Sequence, residues 1–120
     1  MHIILTGLHM DITDSIRTYT LDKMSHLEKY VTNDSSAKLA IELSRTTAHH
    51  IHGDIFQAEA QLHIRGLTTS HRTTQNDLYK AVDVLKDMLV RELASHKDKE
   101  RSVVRRSAHK LKLLLKRLTD

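Results

Sequence analysis

The chain contains no cysteine, no proline and no tryptophan, and only one phenylalanine. Without cysteine there is no disulfide framework, no thiol nucleophile and no thiolate metal site. With three tyrosines and one phenylalanine in 120 residues, stacking of single-stranded bases on aromatic rings is not expected as the main mode of recognition. Long apolar runs are missing too. The N-terminus, MHIILTGLHMD, has no basic leader and too short an apolar stretch for a signal peptide. Nothing approaches the ~20 apolar residues of a membrane span. The expectation is a soluble cytoplasmic protein of one domain, large enough for one modest core.

Glycine is equally scarce. Gly7, Gly53 and Gly66 all fall at turn positions, and none belongs to a phosphate-cradling loop. No G-x-S-x-G elbow occurs, and no pair of carboxylates is marked for acid–base work. Neither an enzyme nor a cofactor is expected. Ten histidines invite a metal site, and His49, His50 and His52 make the best case. His49 and His50 are adjacent, however, and no carboxylate or cysteine stands at a recognisable ligand spacing from them. Exposed loop histidines are the expectation, and no metal site is assigned.

The net charge of +4 is unevenly placed. Residues 1–96 hold ten Lys/Arg against twelve Asp/Glu, a balance of −2, and residues 97–120 hold nine against three, a balance of +6. A near-neutral domain thus ends in a basic arm suited to a polyanion.

The longest periodic stretch is DLYKAVDVLKDMLVRELASHKDK, Asp77 to Lys99. Leu78, Val82, Leu85, Leu89 and Leu93 recur every three or four residues, with Ala81 and Met88 at their flanks, which predicts an amphipathic helix. Asn76 or Asp77 can cap it. Its charges suggest a solvated face with i,i+4 pairs such as Asp87–Arg91. Upstream, His2 to Thr6 reads as a strand ended by Gly7. Thr13 is an N-cap candidate, with Asp14 favoured in the first turn. The helix it opens should reach about Val31, with Ile16, Tyr19, Met24, Leu27, Tyr30 and Val31 as its apolar stripe. Lys23 falls inside that arc, as a lysine whose stem packs while its ammonium reaches water. Asn33 to Ser36 is turn chemistry.

Ala37, Leu39, Ile41 and Leu43 then alternate with polar or small neighbours, as do Phe56, Ala58, Ala60, Leu62 and Ile64, predicting two half-buried strands. A polar hairpin, TTAHHIHGD, joins them. Arg65-Gly66 turns into a third strand of this meander, from Leu67 to about Thr73. The first strand reaches the second through a helix, so those two should run parallel in a right-handed crossover. The expected fold is α+β, in the order β-α-β-β-β-α. A four-stranded mixed sheet carries two helices on one face, in the manner of a double-stranded-RNA-binding domain. Glu42, Glu59, Gln61 and His63 should lie on the wet face.

Residues 96–102 are almost wholly polar, and we place a boundary there: a domain of residues 1–98 and a basic amphipathic tail of residues 99–120. Within the tail, Val104, Ala108, Leu111, Leu114, Leu115 and Leu118 lie at helical spacing, away from Arg101, Arg105, Lys112 and Lys116. The polar break shifts the stripe, so the tail is expected as a segment separate from the preceding helix. It could pack on the domain, lie on anionic lipid, associate weakly with a second tail, or dock along RNA.

Two stretches carry a resemblance. DLYKAVD, then L-x-REL, then HKDK looks like the last helix of the bacterial ribosome hibernation-promoting factors, the family that includes the ribosome-associated inhibitor protein Y. Residues Ile12 to Tyr30 resemble its first helix, with Lys23, Leu27, Glu28 and Tyr30 as the matching positions. The resemblance covers about residues 1–99. It implies a short-form factor that binds the 30S ribosomal subunit against 16S rRNA, in the channel of messenger RNA and of the A- and P-site transfer RNAs. Translation is silenced there in stationary phase or stress, without catalysis. It implies RNA contacts for Lys23, Lys29, Arg91, Lys97 and Lys99. Met88, Ser95 and Glu92 depart from the family pattern and lower local positive charge. Lys80 and Lys86 can compensate, and Arg101, Arg105 and Arg106 add a cationic arm. Some short members act with ribosome modulation factor to pair ribosomes, whereas tailed ones block pairing; this tail's composition does not choose between them. The alternative from another class is a protein-interaction or membrane-surface module acting through the tail.

Overall fold

The computed structural model describes residues 1–47 and 53–119. Its elements are β1 (His2–Leu8), α1 (Asp14–Ser25), a 3-10 turn (Glu28–Tyr30), β2 (Lys38–Thr47), β3 (Asp54–Ile64), β4 (Leu67–Gln75) and α2 (Leu78–Thr119). One sheet has the order β1-β2-β3-β4, parallel between β1 and β2 and antiparallel thereafter. The expected mixed sheet with two helices on one face is what forms. The hairpin histidines His49, His50 and His52 lie outside the described residues.

Alternation decides which face is covered. Leu39, Ile41 and Leu43 of β2 and Ala58, Ala60, Leu62 and Ile64 of β3 are buried, meeting Ile16, Met24, Leu27, Val82, Leu85, Leu89 and Leu93 from the helical layer. The small Ala58 and Ala60 at the centre let α2 come close. The opposite face is wet, as expected: Glu42, Gln61 and His63 are exposed, and the half-buried Glu59 meets Arg72 at 3.4 Å. Glu59 also stands opposite Glu42 in register, so Arg72 offsets a like-charge pair.

Both helix starts follow the side chains predicted for them. The Ile16 N–H donates to Thr13 Oγ1 at 3.2 Å, and the Lys80 N–H donates to Asp77 Oδ1 at 3.0 Å. The first helix ends earlier than expected. It stops at Ser25 instead of running to Val31, and the chain tightens into i→i+3 bonds from Leu27 N–H to Met24 O and from Tyr30 N–H to Leu27 O. Met24 and Leu27 before the tighter turn and Val31 after it are all buried. Thr20, absent from the predicted stripe, is buried as well. Strand β1 runs one residue past Gly7. Gly7 is there because a Cβ would collide with the Met10 carbonyl oxygen where the chain folds back towards α1.

The main correction concerns the tail. The structure continues α2 without interruption from Leu78 to Thr119, across residue 98 and through the polar stretch. Polarity changes which residues face water but does not break a backbone. No glycine or proline occurs between residues 78 and 119, and Lys, Arg, Glu and Leu are good helix formers. His96 Nε2 lies 3.1 Å from Glu100 Oε1, one turn on, bridging the polar stretch. Beyond it the helix has left the sheet. Val103, Val104, Leu111, Leu113, Leu114, Leu115 and Leu118 are all exposed. Among the described residues no helix is long and apolar enough to cross a membrane.

Candidate nucleic-acid interface

The groove between α1 and α2 gathers basic side chains from both. Lys23, near the end of α1, is half-buried, with Nζ 3.5 Å from Asp83 Oδ1 and 5.4 Å from the centre of the Tyr19 ring. The Tyr19 hydroxyl donates to the same carboxylate oxygen at 2.5 Å, and its ring meets Tyr79 edge-on at 4.8 Å between centroids. The hydrogen bond to Asp83, then burial, then the negative charges of Asp83 and Asp77 push the Tyr19 hydroxyl from 10.0 up to about 12. Tyr19 therefore keeps its proton, and Lys23 is aimed by a carboxylate that already offsets part of its charge.

Lys29 stands on the 3-10 turn and Lys97 on α2, yet both ammonium groups lie over the Tyr30 ring, at 5.2 and 6.0 Å from its centre. A ring face attracts cations without neutralising them, so Tyr30 draws the two lysines together with their charge intact. Lys86 and Lys97 are eleven residues apart, about three helical turns, and share the side of α2 that carries Tyr79 and Asp83 towards α1. Lys86 Nζ is 3.6 Å from Asp87 Oδ1. The expected Asp87–Arg91 pair does not form among the described residues. Lys23, Lys29, Lys86 and Lys97 thus make one basic groove.

The other candidates are elsewhere. Lys80 and Arg91, also eleven apart, are exposed on the outer side of α2. Lys99 is exposed on the flank turned away from α1, and Arg101, Arg105 and Arg106 are exposed where the helix has left the sheet. Met88, Glu92, Ser95 and Lys99 recur at spacings of four, three and four and so share one flank of α2.

Sequence reasoning missed Tyr19 and Asp83 as positioning groups. In the sequence Asp83 is one charge among several on the polar side of the last helix, and its pairing with Tyr19 spans 64 residues. Among the described residues no group of three or more His, Asp or Glu is placed to hold a metal ion.

The family model described as "Sigma 54 modulation protein / S30EA ribosomal protein" matches residues 3–101. The chain is 29% identical over 100 residues to the ribosome hibernation promoting factor of Azotobacter vinelandii, covering 83% of this chain and 86% of that one. It is 30% identical over 99 residues to the factor of the same name from Salmonella typhimurium, covering 82% and 96%. Among solved structures it resembles the N-terminal domain of Protein Y from Thermus thermophilus, with a TM-score of 0.59 and 28% identity over 78% of this chain and 96% of that one. A ribosomal subunit interface protein from Coxiella burnetii shares the fold, with a TM-score of 0.69 at 24% identity, covering 82% and 99%. A model match across the sheet, both helices and the basic groove they form means that the chain belongs to the Sigma 54 modulation protein / S30EA ribosomal protein family.

Proposed function

We propose that the protein is a ribosome hibernation factor. It binds the 30S subunit in the channel of messenger RNA and of the A- and P-site transfer RNAs, against 16S rRNA, and silences translation in stationary phase or stress. The observation that carries this reading is the basic groove of Lys23, Lys29, Lys86 and Lys97 within the residues that match the family. Two helices on one face of a sheet suit A-form RNA, which is recognised by shape through phosphates and 2′-hydroxyls rather than by base sequence. Contacts to phosphates position a protein without specifying sequence, and lysines on a fixed groove supply such contacts. Blocking a channel needs no catalytic step and no cofactor.

The arm beyond residue 101 extends this reading. Residues 101–119 carry seven Lys/Arg and no Asp/Glu, so a polyanion complements them better than a second identical arm does. Docking of Arg101, Arg105 and Arg106 on ribosomal RNA would also restore the positive charge missing at Met88, Glu92 and Ser95.

Co-sedimentation with purified small subunits on sucrose gradients tests the proposal. The double variant Lys29→Glu/Lys97→Glu should remain folded and lose ~100-fold or more in affinity, since a hydrogen bond to a charged group contributes about 1.5–3 kcal/mol. A folded double variant that still co-sediments would overturn the site.

A further inference from the structure

A cleft of about 210 Å³ opens at the end of the groove, where the 3-10 turn, the β3–β4 turn and α2 meet. Lys29 and Tyr30 line it from the turn, Arg65 from the β3–β4 connection, and His96, Lys97 and Glu100 from α2. The sequence places Arg65 only as a turn residue beside Gly66. The sheet carries that turn against two lysines that are distant in the chain.

The charges in the cleft are unbalanced. Lys29, Arg65 and Lys97 come from three different elements, and none has a carboxylate within ion-pair distance among the described residues. Two carboxylates, Asp34 and Glu100, line the cleft as well. Glu100 Oε1 lies 3.1 Å from His96 Nε2. Asp34 accepts the Arg65 backbone N–H at 2.6 Å, the Ser36 N–H at 2.9 Å and the Ser36 hydroxyl. Those bonds also fix Arg65. Its N–H is clamped across 31 residues of sequence, and Gly66 takes the left-handed conformation (φ 77°) that the tight turn requires. The two lysines are held over Tyr30, which contributes no counter-charge. Three cations against two carboxylates leave the cleft an excess of positive charge, which an anion would offset.

Size narrows the anion. Sites for whole small ligands usually enclose about 300–1,000 Å³, and this cleft is smaller. It admits a phosphate with its adjoining atoms rather than a complete nucleotide. We propose that the cleft seats a phosphodiester group of RNA, held by Lys29, Arg65 and Lys97, with Asp34 as the positioning residue for Arg65. This rests on the ribosome reading above and adds to it a grip outside the two helices, supplied by the β3–β4 turn.

The test uses the full chain and purified small subunits across a salt series. Arg65→Ala should weaken binding about tenfold and lower the log–log salt slope by about one unit, as loss of one phosphate contact does. Arg72→Ala removes the same charge from the wet sheet face and should change neither. Asp34→Ala separates positioning from bulk electrostatics. Removing an acid would strengthen a purely electrostatic attraction, whereas loss of the clamp on Arg65 should weaken binding. If the wild type binds and Arg65→Ala behaves like Arg72→Ala, the cleft assignment falls and the ribosome reading stands. If the wild type does not bind subunits, the ribosome reading falls, and backbone amide spectra of the full chain titrated with a short RNA duplex decide on the cleft. Shifts at Tyr30, Arg65 and Lys97 that vanish in Arg65→Ala support the phosphodiester seat. Shifts confined elsewhere, or inorganic phosphate alone reproducing the effect at equal concentration, overturn it.

Discussion

Asp34 accepts three hydrogen bonds at the edge of the sheet, and its acidity follows from them. The bond from the Ser36 hydroxyl, then the one from the Arg65 N–H, hold its carboxyl from 3.8 down to about 2. A carboxyl depressed by folding stabilises the folded state above its unfolded value, and that stabilisation disappears as pH falls through the folded value. The protein should therefore lose part of its stability between about pH 4 and pH 2. In Asp34→Ala, thermal melts should show a lower Tm at neutral pH and a shallower decline over that window. Equal acid sensitivity in the two proteins would remove Asp34 from this role. Tyr19 behaves in the opposite sense. Its hydroxyl is raised from 10.0 to about 12, so its contribution is complete below pH 10 and is lost as pH rises through 12. Ultraviolet titration of Asp83→Asn should show this tyrosine returning towards 10, because the charged acceptor that raises it is gone. Asp83→Asn also frees Lys23 from its ion pair, which isolates the aiming of that lysine from its charge.

At the scale of elements, α2 does two jobs with one backbone. Up to Leu93 its stripe is buried against the sheet, and from Val103 onward its apolar side chains are exposed. A chain ending at residue 100 should therefore keep its core, with a Tm close to that of the full chain. Its affinity for small subunits should fall and become less salt-dependent, because it lacks seven cations. Should the shortened chain bind as tightly as the full one, the arm takes no part in docking, and sedimentation and lipid-vesicle binding of the full chain would then test self-association and a membrane surface. The 3-10 turn is the other element whose form matters. Its flanking residues Leu27 and Val31 are buried, and it leaves Lys29 and Tyr30 at the rim of the cleft.

At the scale of the whole molecule the protein is long for its mass. A compact domain of 120 residues has a radius of gyration of about 14 Å, whereas this one has 19.7 Å and extends 75 Å along its longest axis. The arm accounts for the difference, and it also concentrates charge of one sign at one end. Binding driven by such a distribution must weaken steeply with ionic strength. Affinity for small subunits measured across a salt series should fall with a log–log slope of several units, as displaced counterions require. A flat dependence would point to an interface with ribosomal protein rather than RNA.

Read alone, the amino-acid order yields the α+β order, the sheet topology, the covered face, the Thr13 cap and the family. Each of these follows from residues close together in the chain: alternation in Leu39 to Leu43, the Leu78 to Leu93 stripe, Thr13 as a cap; the choice of Asp77 over Asn76 at the start of α2 is the structure's. Local pattern misjudged two things. It extended α1 through a stretch that tertiary packing winds more tightly, and it took a change of side-chain polarity after His96 for a break in a backbone that nothing there interrupts. The sequence also named most of the basic residues but could not sort them. Only the folded chain brings Lys23 to Asp83 and Tyr19, separates Lys80 and Arg91 from the groove, and carries Arg65 to Lys29 and Lys97. Those relations join positions tens of residues apart, and no periodicity encodes them. They exist because the sheet and the two helices close on one core, which fixes where each turn ends.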